Sequence, residues 1–387
     1  MEEITAKPAP DGDPARAARD SALELLRIFA MLLVVASHLA CHAMGNGWKM
    51  WELPFSANQA WSIALGRWGN FGVELFIIIS SWFLCGKRGI RSRKLFELAF
   101  QTVTTCIVFF FFIRLTRLNM VGRKALLEEA LELFRSQNYW FIPAYMVFYA
   151  LIPFMQQVSS RRGAAFRLAA VWTLLSLVFR FYRPWWTPFF GRVGHFAYLY
   201  FITAWLREAE ADARARGRRL FLDRRAGLVS LACYALLVFE ACWSRYRASS
   251  GQGGFTLYAG DYITLLFEFS MFFLFKKIPV GPSRPVNALA GTVFGVYLLH
   301  ENFLWMSWEN HEMYSILWDQ LLGAGLWYRS PLFPAWYVAA TLLVFAACAA
   351  AEFVLAFLRR FVLSRCLWLD ALCTRIDAWY AGDEEQG

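Results

Sequence analysis

Charge is what this chain has little of. Only 18% of its 387 residues are Asp, Glu, Lys or Arg, against 58% hydrophobic. A soluble domain of this size could not cover that much apolar surface with so few charges. Paired cysteines are missing too: Cys41, Cys85, Cys106, Cys233, Cys242, Cys348, Cys366 and Cys373 form no CxxC pair and lie mostly in or beside apolar runs. That spacing argues against a disulfide framework and a cysteine zinc site. The chain has no internal repeat and no pair of Gly- or Pro-interrupted helices in matching halves, the pattern a carrier would show. It also lacks a basic and aromatic RNA-binding motif. The net charge of +10 is therefore read as Lys and Arg gathered on the cytoplasmic side of a membrane, with no nucleic-acid partner.

What is there is a series of long apolar runs. They predict an all-α polytopic membrane protein of about ten transmembrane helices. The spans fall near 22–44, 61–85, 98–115, 139–157, 165–181, 192–206, 226–243, 258–276, 286–306 and 335–358. Lys and Arg are in excess on the segments that share a side with both chain ends, so the N- and C-termini are expected to be cytoplasmic. Residues 1–20, rich in Ala, Pro and Asp, read as a disordered cytoplasmic tail. Residues 21–358 form the transmembrane domain, and 359–387 an amphipathic cytoplasmic C-terminal segment. A weaker amphipathic stretch, 122–136, is also expected at the interface. The first span could be mistaken for a signal peptide, but its length, Arg27 and the further spans after it argue that it is retained.

That first span, SALELLRIFAMLLVVASHLACHAM, carries Arg27 and His38. On a helix the two project from the same face within roughly 20° and lie ~16 Å apart, with Arg27 near the cytoplasmic surface and His38 deeper. Hydrocarbon solvates neither, so His38 marks a functional site or a helix-to-helix hydrogen bond. His42 follows His38 by four residues and could make a two-His metal pair, but no acidic third ligand is evident and no metal is expected. The second span buries Glu74, which could orient the His38 imidazole or pair with Arg27. It ends in Lys87, Arg88, Arg91, Arg93 and Lys94. Such a cluster serves as a topogenic signal, Lys87 and Arg88 above all, but Arg91 and Lys94 could share a helix face suited to the phosphates of a cytosolic donor.

Span four opens on Asn138-Tyr139-Trp140-Phe141, where an interfacial aromatic belt needs no further function. Span nine holds Tyr297, His300 and Glu301, with Tyr297 and His300 on one face and His300 serving either a site or packing. His195 and His311 read as loop or interface residues. The loop at about 307–334, with Glu309, Glu312 and Asp319 among aromatics, suits a sugar-like acceptor.

Taken together the segments resemble the acyltransferase 3 family of integral-membrane O-acyltransferases that modify bacterial surface glycans. The residues carrying the resemblance are Arg27 and His38, Phe71-Gly72-Val73-Glu74-Leu75-Phe76, Trp140-Phe141 and Gly295-Val296-Tyr297-Leu298-Leu299-His300, in that order. The resemblance implies ten helices with cytoplasmic ends, an inner-membrane location, acyl-CoA (most simply acetyl-CoA) as donor and a saccharide or lipid-linked glycan as acceptor. It makes His38 the base, gives Arg27 a supporting role, and maps donor binding onto Arg91 and Lys94. Ser80, Trp140, Tyr297 and His300 become candidate lining residues, with Glu74 assisting catalysis. No permanently bound cofactor is implied, membrane lipid is a partner, and a homo-oligomer is compatible with it. The chain departs from the family pattern at Ser80-Ser81, where Ser-Gly is usual, and at the basic pair, which ends in Lys94.

Overall fold

The computed structural model describes residues 20–43, 53–86, 89–116, 139–182, 191–255, 257, 259–309, 312–363 and 365–381. The expectations for the N-terminal tail, 122–136, Lys87, Arg88 and His311 lie outside the described residues. In chain order the helices are α1 (Ser21–His42), α2 (Ala57–Gly66), α3 (Gly69–Leu84), α4 (Arg93–Thr116), α5 (Phe141–Ser159), α6 (Ala164–Tyr182) and α7 (Gly191–Ala215). They continue as α8 (Phe221–Ser249), α9 (Gly260–Lys276), α10 (Arg284–Ala290), α11 (Val293–His300), α12 (Ala324–Tyr328), α13 (Phe333–Leu363) and α14 (Leu367–Ala381). A small antiparallel hairpin, β1 (Met306–Glu309) and β2 (Glu312–Ser315), pairs Met306 with Ser315 and Glu309 with Glu312.

The first helix is the centre of the bundle. Asp20 starts it by accepting from the amides of Ala22 (3.1 Å) and Leu23 (3.3 Å), two donors that a helix start leaves unmatched. Helices α2, α3, α9, α10, α11 and α13 all pack against it. Its most apolar window is 67% buried, against 22% for α4 and 28% for α8 and α13, which places those three at the periphery. The peripheral helices turn large apolar side chains outward, among them Phe111, Leu174, Leu231, Phe239, Leu343 and Val354. So much exposed apolar surface belongs in lipid rather than water.

Among the described residues, six helical runs are long and apolar enough to cross a membrane: α1, Ala57–Leu84 taken through α2 and α3, α4, α5, α8 and α13. Two stretches expected as single spans are interrupted. The run 61–85 breaks at Arg67 and Trp68, where Arg67 reaches across to the Leu237 carbonyl (2.7 Å) and the Glu240 carboxylate (3.8 Å) on α8. The run 286–306 becomes α10, which is capped by Ser283 with proline in its first turn, then α11 after Gly291-Thr292. A short 3-10 turn, Phe303–Trp305, follows. These breaks decide where the polar side chains of both segments point.

Close approach of α1 and α3 depends on glycine, most tightly at Gly72. A Cβ at Gly72 would stand 2.5 Å from the Ala30 carbonyl oxygen, and backbone on a central helix cannot step aside. Gly72→Ala is therefore expected to cost about 1–3 kcal/mol and lower the unfolding temperature in detergent. Gly227→Ala, whose nearest neighbour would be the Leu274 side chain at 3.7 Å, is the matched control and should not. The serine at the usual glycine position nearby, Ser81, is fully buried on α3, and its hydroxyl has no partner among the described residues.

At the cytoplasm-facing end expected from sequence, α14 is tied to the start of α4. The Ser92 amide donates to Asp377 (2.7 Å), the Ser92 hydroxyl donates to the Cys373 carbonyl (3.2 Å), and Arg93 pairs with Asp370. Leu369 and Cys373 face inward while Trp368 and Trp379 stay exposed, the pattern of a helix lying along a membrane surface.

Candidate active site

His38, in the last turns of α1, meets the end of α11. Its Nδ1 lies 2.9 Å from His300 Nε2 and 2.8 Å from Glu301 Oε2. His42, one turn on, places its Nε2 3.1 Å from the other Glu301 oxygen. Three imidazoles and one carboxylate thus converge, with the His38 ring centroid 5.1 Å from each of the other two.

The hydrogen bonds assign the tautomers. His300 Nδ1 lies 2.6 Å from the Val296 carbonyl oxygen, which can only accept, so the proton of a neutral His300 is on Nδ1 and its Nε2 carries a lone pair. His38 must then bear its proton on Nδ1 and donate it between His300 Nε2 and Glu301. That leaves His38 Nε2 as an unprotonated nitrogen with no partner among the described residues, on a side chain that is 18% exposed. His42 donates through Nε2 to Glu301, and its own Nδ1 is buried without a partner among the described residues. The arrangement can take a proton at one defined nitrogen, with a carboxylate behind the ring to stabilise the imidazolium that forms.

Helix termination creates this geometry. Successive helical residues diverge by ~100°, so His300 and Glu301 in a continuous span would face different neighbours. Here α11 ends at His300 and Glu301 takes φ −98° and ψ 13°, which brings its carboxylate back onto α1.

The remaining expected residues fall into separate places. Arg27 shares the helix with His38 but pairs with Glu24 at 2.9 Å, well below the imidazole. Glu74 touches neither Arg27 nor His38: its carboxylate lies 3.1 Å from His195 Nε2 and adjoins the fully buried Glu268 of α9. This corrects the expectation for Glu74, because the break at Arg67 and Trp68 sets the register of α3 so that Glu74 faces α7 and α9. His195, read from sequence as a loop or interface residue, stands in the first turns of α7. Ser80 lies 3.4 Å from the Tyr145 hydroxyl. Trp140 stacks under the Arg192 guanidinium at 3.4 Å. Tyr297 is buried with its ring 6.4 Å from His300, so it borders the cluster.

Arg91 and Lys94 do not form the expected pair on one helix face. Helix α4 begins at Arg93, so Arg91 lies before it, while Lys94 sits 5.4 Å over the Tyr149 ring. A denser basic site is found elsewhere. A cavity of about 490 Å³ between the end of α7, the start of α8 and the end of α9 is lined by Arg214, Arg218, Arg219, Lys276 and Lys277. Glu210 takes up Lys276 (2.5 Å) and Arg214 (2.8 Å), and Asp223 takes up Lys277 (3.3 Å). Arg218 and Arg219 remain exposed, with no ion pair among the described residues.

The cavity and the imidazole cluster lie at different depths. Phe275, next to Lys276, packs on Phe29 at 5.3 Å between centroids, which puts the cavity level with the first turns of α1. His38 is nine residues further along, or about 14 Å.

Residues 20–351 match the family described as Acyltransferase domain, Acyl_transf_3. No curated protein and no solved structure matches the chain. With nearly its whole length covered, the chain belongs to the acyltransferase 3 family.

Proposed function

We propose that this membrane acyltransferase moves an acyl group, most simply acetyl, from acyl-CoA to a hydroxyl of a cell-surface saccharide at the inner membrane, with His38 as general base. The observation that carries the reading is that His38 is held through Nδ1 by His300 and Glu301 while its Nε2 has no partner among the described residues. In the reaction His38 Nε2 takes the acceptor hydroxyl proton as the oxygen attacks the thioester carbonyl. The C–S bond breaks, and the leaving thiolate recovers the proton from the imidazolium. Ten crossings with both ends cytoplasmic, counting α6, α7, α9 and the α10–α11 run as further spans, would let a cytosolic thioester and an external alcohol approach from opposite sides.

The basic cavity supports the donor assignment. A polyanionic head held by Arg218 and Arg219, with the thioester at His38, requires a donor with a slender arm of about 14 Å or more. Acyl-CoA has that form, whereas acetyl phosphate does not. Changing both Arg218 and Arg219 to Ala is expected to raise the apparent KM for acyl-CoA by ~10-fold and leave that for the acceptor nearly alone. Equal effects on both constants would return the cavity to a topogenic or lipid-headgroup role. For the reaction as a whole the decisive measurement is a glycan mass spectrum from cells with and without the gene. Loss of one acetyl unit on deletion supports the proposal, and identical spectra for every surface glycan would remove it.

A carrier for acyl groups, lipid-linked sugars or small solutes is the second reading, favoured by the two interrupted segments beside α1. Liposomes reconstituted with the purified protein separate the two. Transfer that needs acyl-CoA and moves no solute belongs to an enzyme.

A further inference from the structure

We infer that His38, His300 and Glu301 form a site for a divalent transition ion, zinc foremost, and that the bound ion switches transfer off. This rests on the reading of His38 as base. One ligand-capable atom from each residue lies within 4.8 Å of the other two. The sequence offers His38 and His42 without an acidic partner; the end of α11 supplies one in Glu301 and adds a third imidazole.

The donor set fits the ion. Zinc takes imidazole nitrogen and carboxylate oxygen at ~2.0–2.2 Å, so its tetrahedral ligands stand about 3.4 Å apart. The separations from His38 Nδ1 to Glu301 Oε2 (2.8 Å) and to His300 Nε2 (2.9 Å) would have to open by about half an ångström, a small side-chain rotation. Supporting contacts are already in place. Val296 O holds the far nitrogen of His300, and His42 holds the second oxygen of Glu301, the kind of outer contact that orients metal ligands. Three protein ligands leave the fourth position to water, and the exposed edge of His38 gives a way in.

Binding would disable the base through its tautomer. The neutral His38 ring has one proton. With the ion on the Nδ1 lone pair, that proton moves through water to Nε2, so no net proton is lost and Nε2 becomes an N–H. The nitrogen that should accept from the acceptor hydroxyl is then a donor.

The test uses the full chain purified in detergent, stripped with chelator and titrated with Co²⁺, whose tetrahedral complexes absorb visible light. A visible band that Zn²⁺ displaces is expected, with transfer falling over the same Zn²⁺ range and returning with chelator. Glu301→Gln and His300→Ala should weaken Co²⁺ binding by at least ~10-fold, and His42→Gln, the mildest change, by a similar factor through the lost outer contact. No band with the wild-type chain, equal affinity in all three variants, or transfer that needs the ion would each overturn the proposal. The Co²⁺ titration needs no turnover, so its failure leaves His38 standing as base. Transfer that survives His38→Ala in metal-free protein removes the base instead.

Discussion

Replacing His38 by Ala is expected to lower kcat by ~10²–10⁴-fold while the KM for each substrate changes little, because the role proposed for the imidazole lies in the proton-transfer step and not in holding either substrate. Position and protonation state both support this. Two imidazole nitrogens of the cluster have no partner among the described residues, and of these His42 Nδ1 is buried, which leaves His38 Nε2, whose tautomer is fixed from behind by His300 and the Val296 carbonyl. Measurement requires purified protein, labelled acyl-CoA and a hydroxyl acceptor, with the unfolding temperature as a check on folding. Should the variant fold and keep wild-type turnover, a different group takes the proton. A drop confined to donor KM would place His38 in binding instead.

The second large effect is expected at Glu301. Its carboxylate lies behind His38 and also accepts from His42, so Glu301→Gln keeps a hydrogen-bond acceptor but removes the charge that stabilises the imidazolium. Loss of such a charge, with the geometry kept, is expected to cost ~10²–10⁴-fold in kcat. Glu74→Gln is the informative comparison. Its carboxylate faces His195 and Glu268, so it should change kcat by less than ~10-fold, acting through packing between α3, α7 and α9. If the ranking came out reversed, the catalytic carboxylate would be the one on α3, and the proton path would have to run through His195.

Why Glu301 had to be found in the structure while His38 could be found in the sequence is a matter of helix continuity. Arg27 and His38 sit in one uninterrupted helix, where a 3.6-residue period gives facing and separation from residue numbers alone. Glu301 is useful because its helix has just ended, and the sequence around Tyr297-Leu298-Leu299-His300-Glu301-Asn302 carries no proline or glycine to announce that. The same limit explains Glu74. Its depth in an apolar run was legible, but its partner depends on the break at Arg67 and Trp68, held open by contacts to α8 far along the chain. Arg91 and Lys94 show the problem at a boundary: a spacing argument holds only inside a helix, and α4 begins between them. The membrane class needed only composition, since no soluble arrangement of this chain could hide so much apolar surface from water.

The crowding around α1 sets the terms for any working cycle. A rod hemmed in by six neighbours, with a glycine contact too tight for a methyl group, can serve as an axle but not as a piston. The helices left to open toward one side of the membrane and then the other are outer staves such as α4 and α8, rocking about a fixed His38. Cross-links between outer staves should therefore arrest turnover, whereas one joining α1 to α3 should be tolerated.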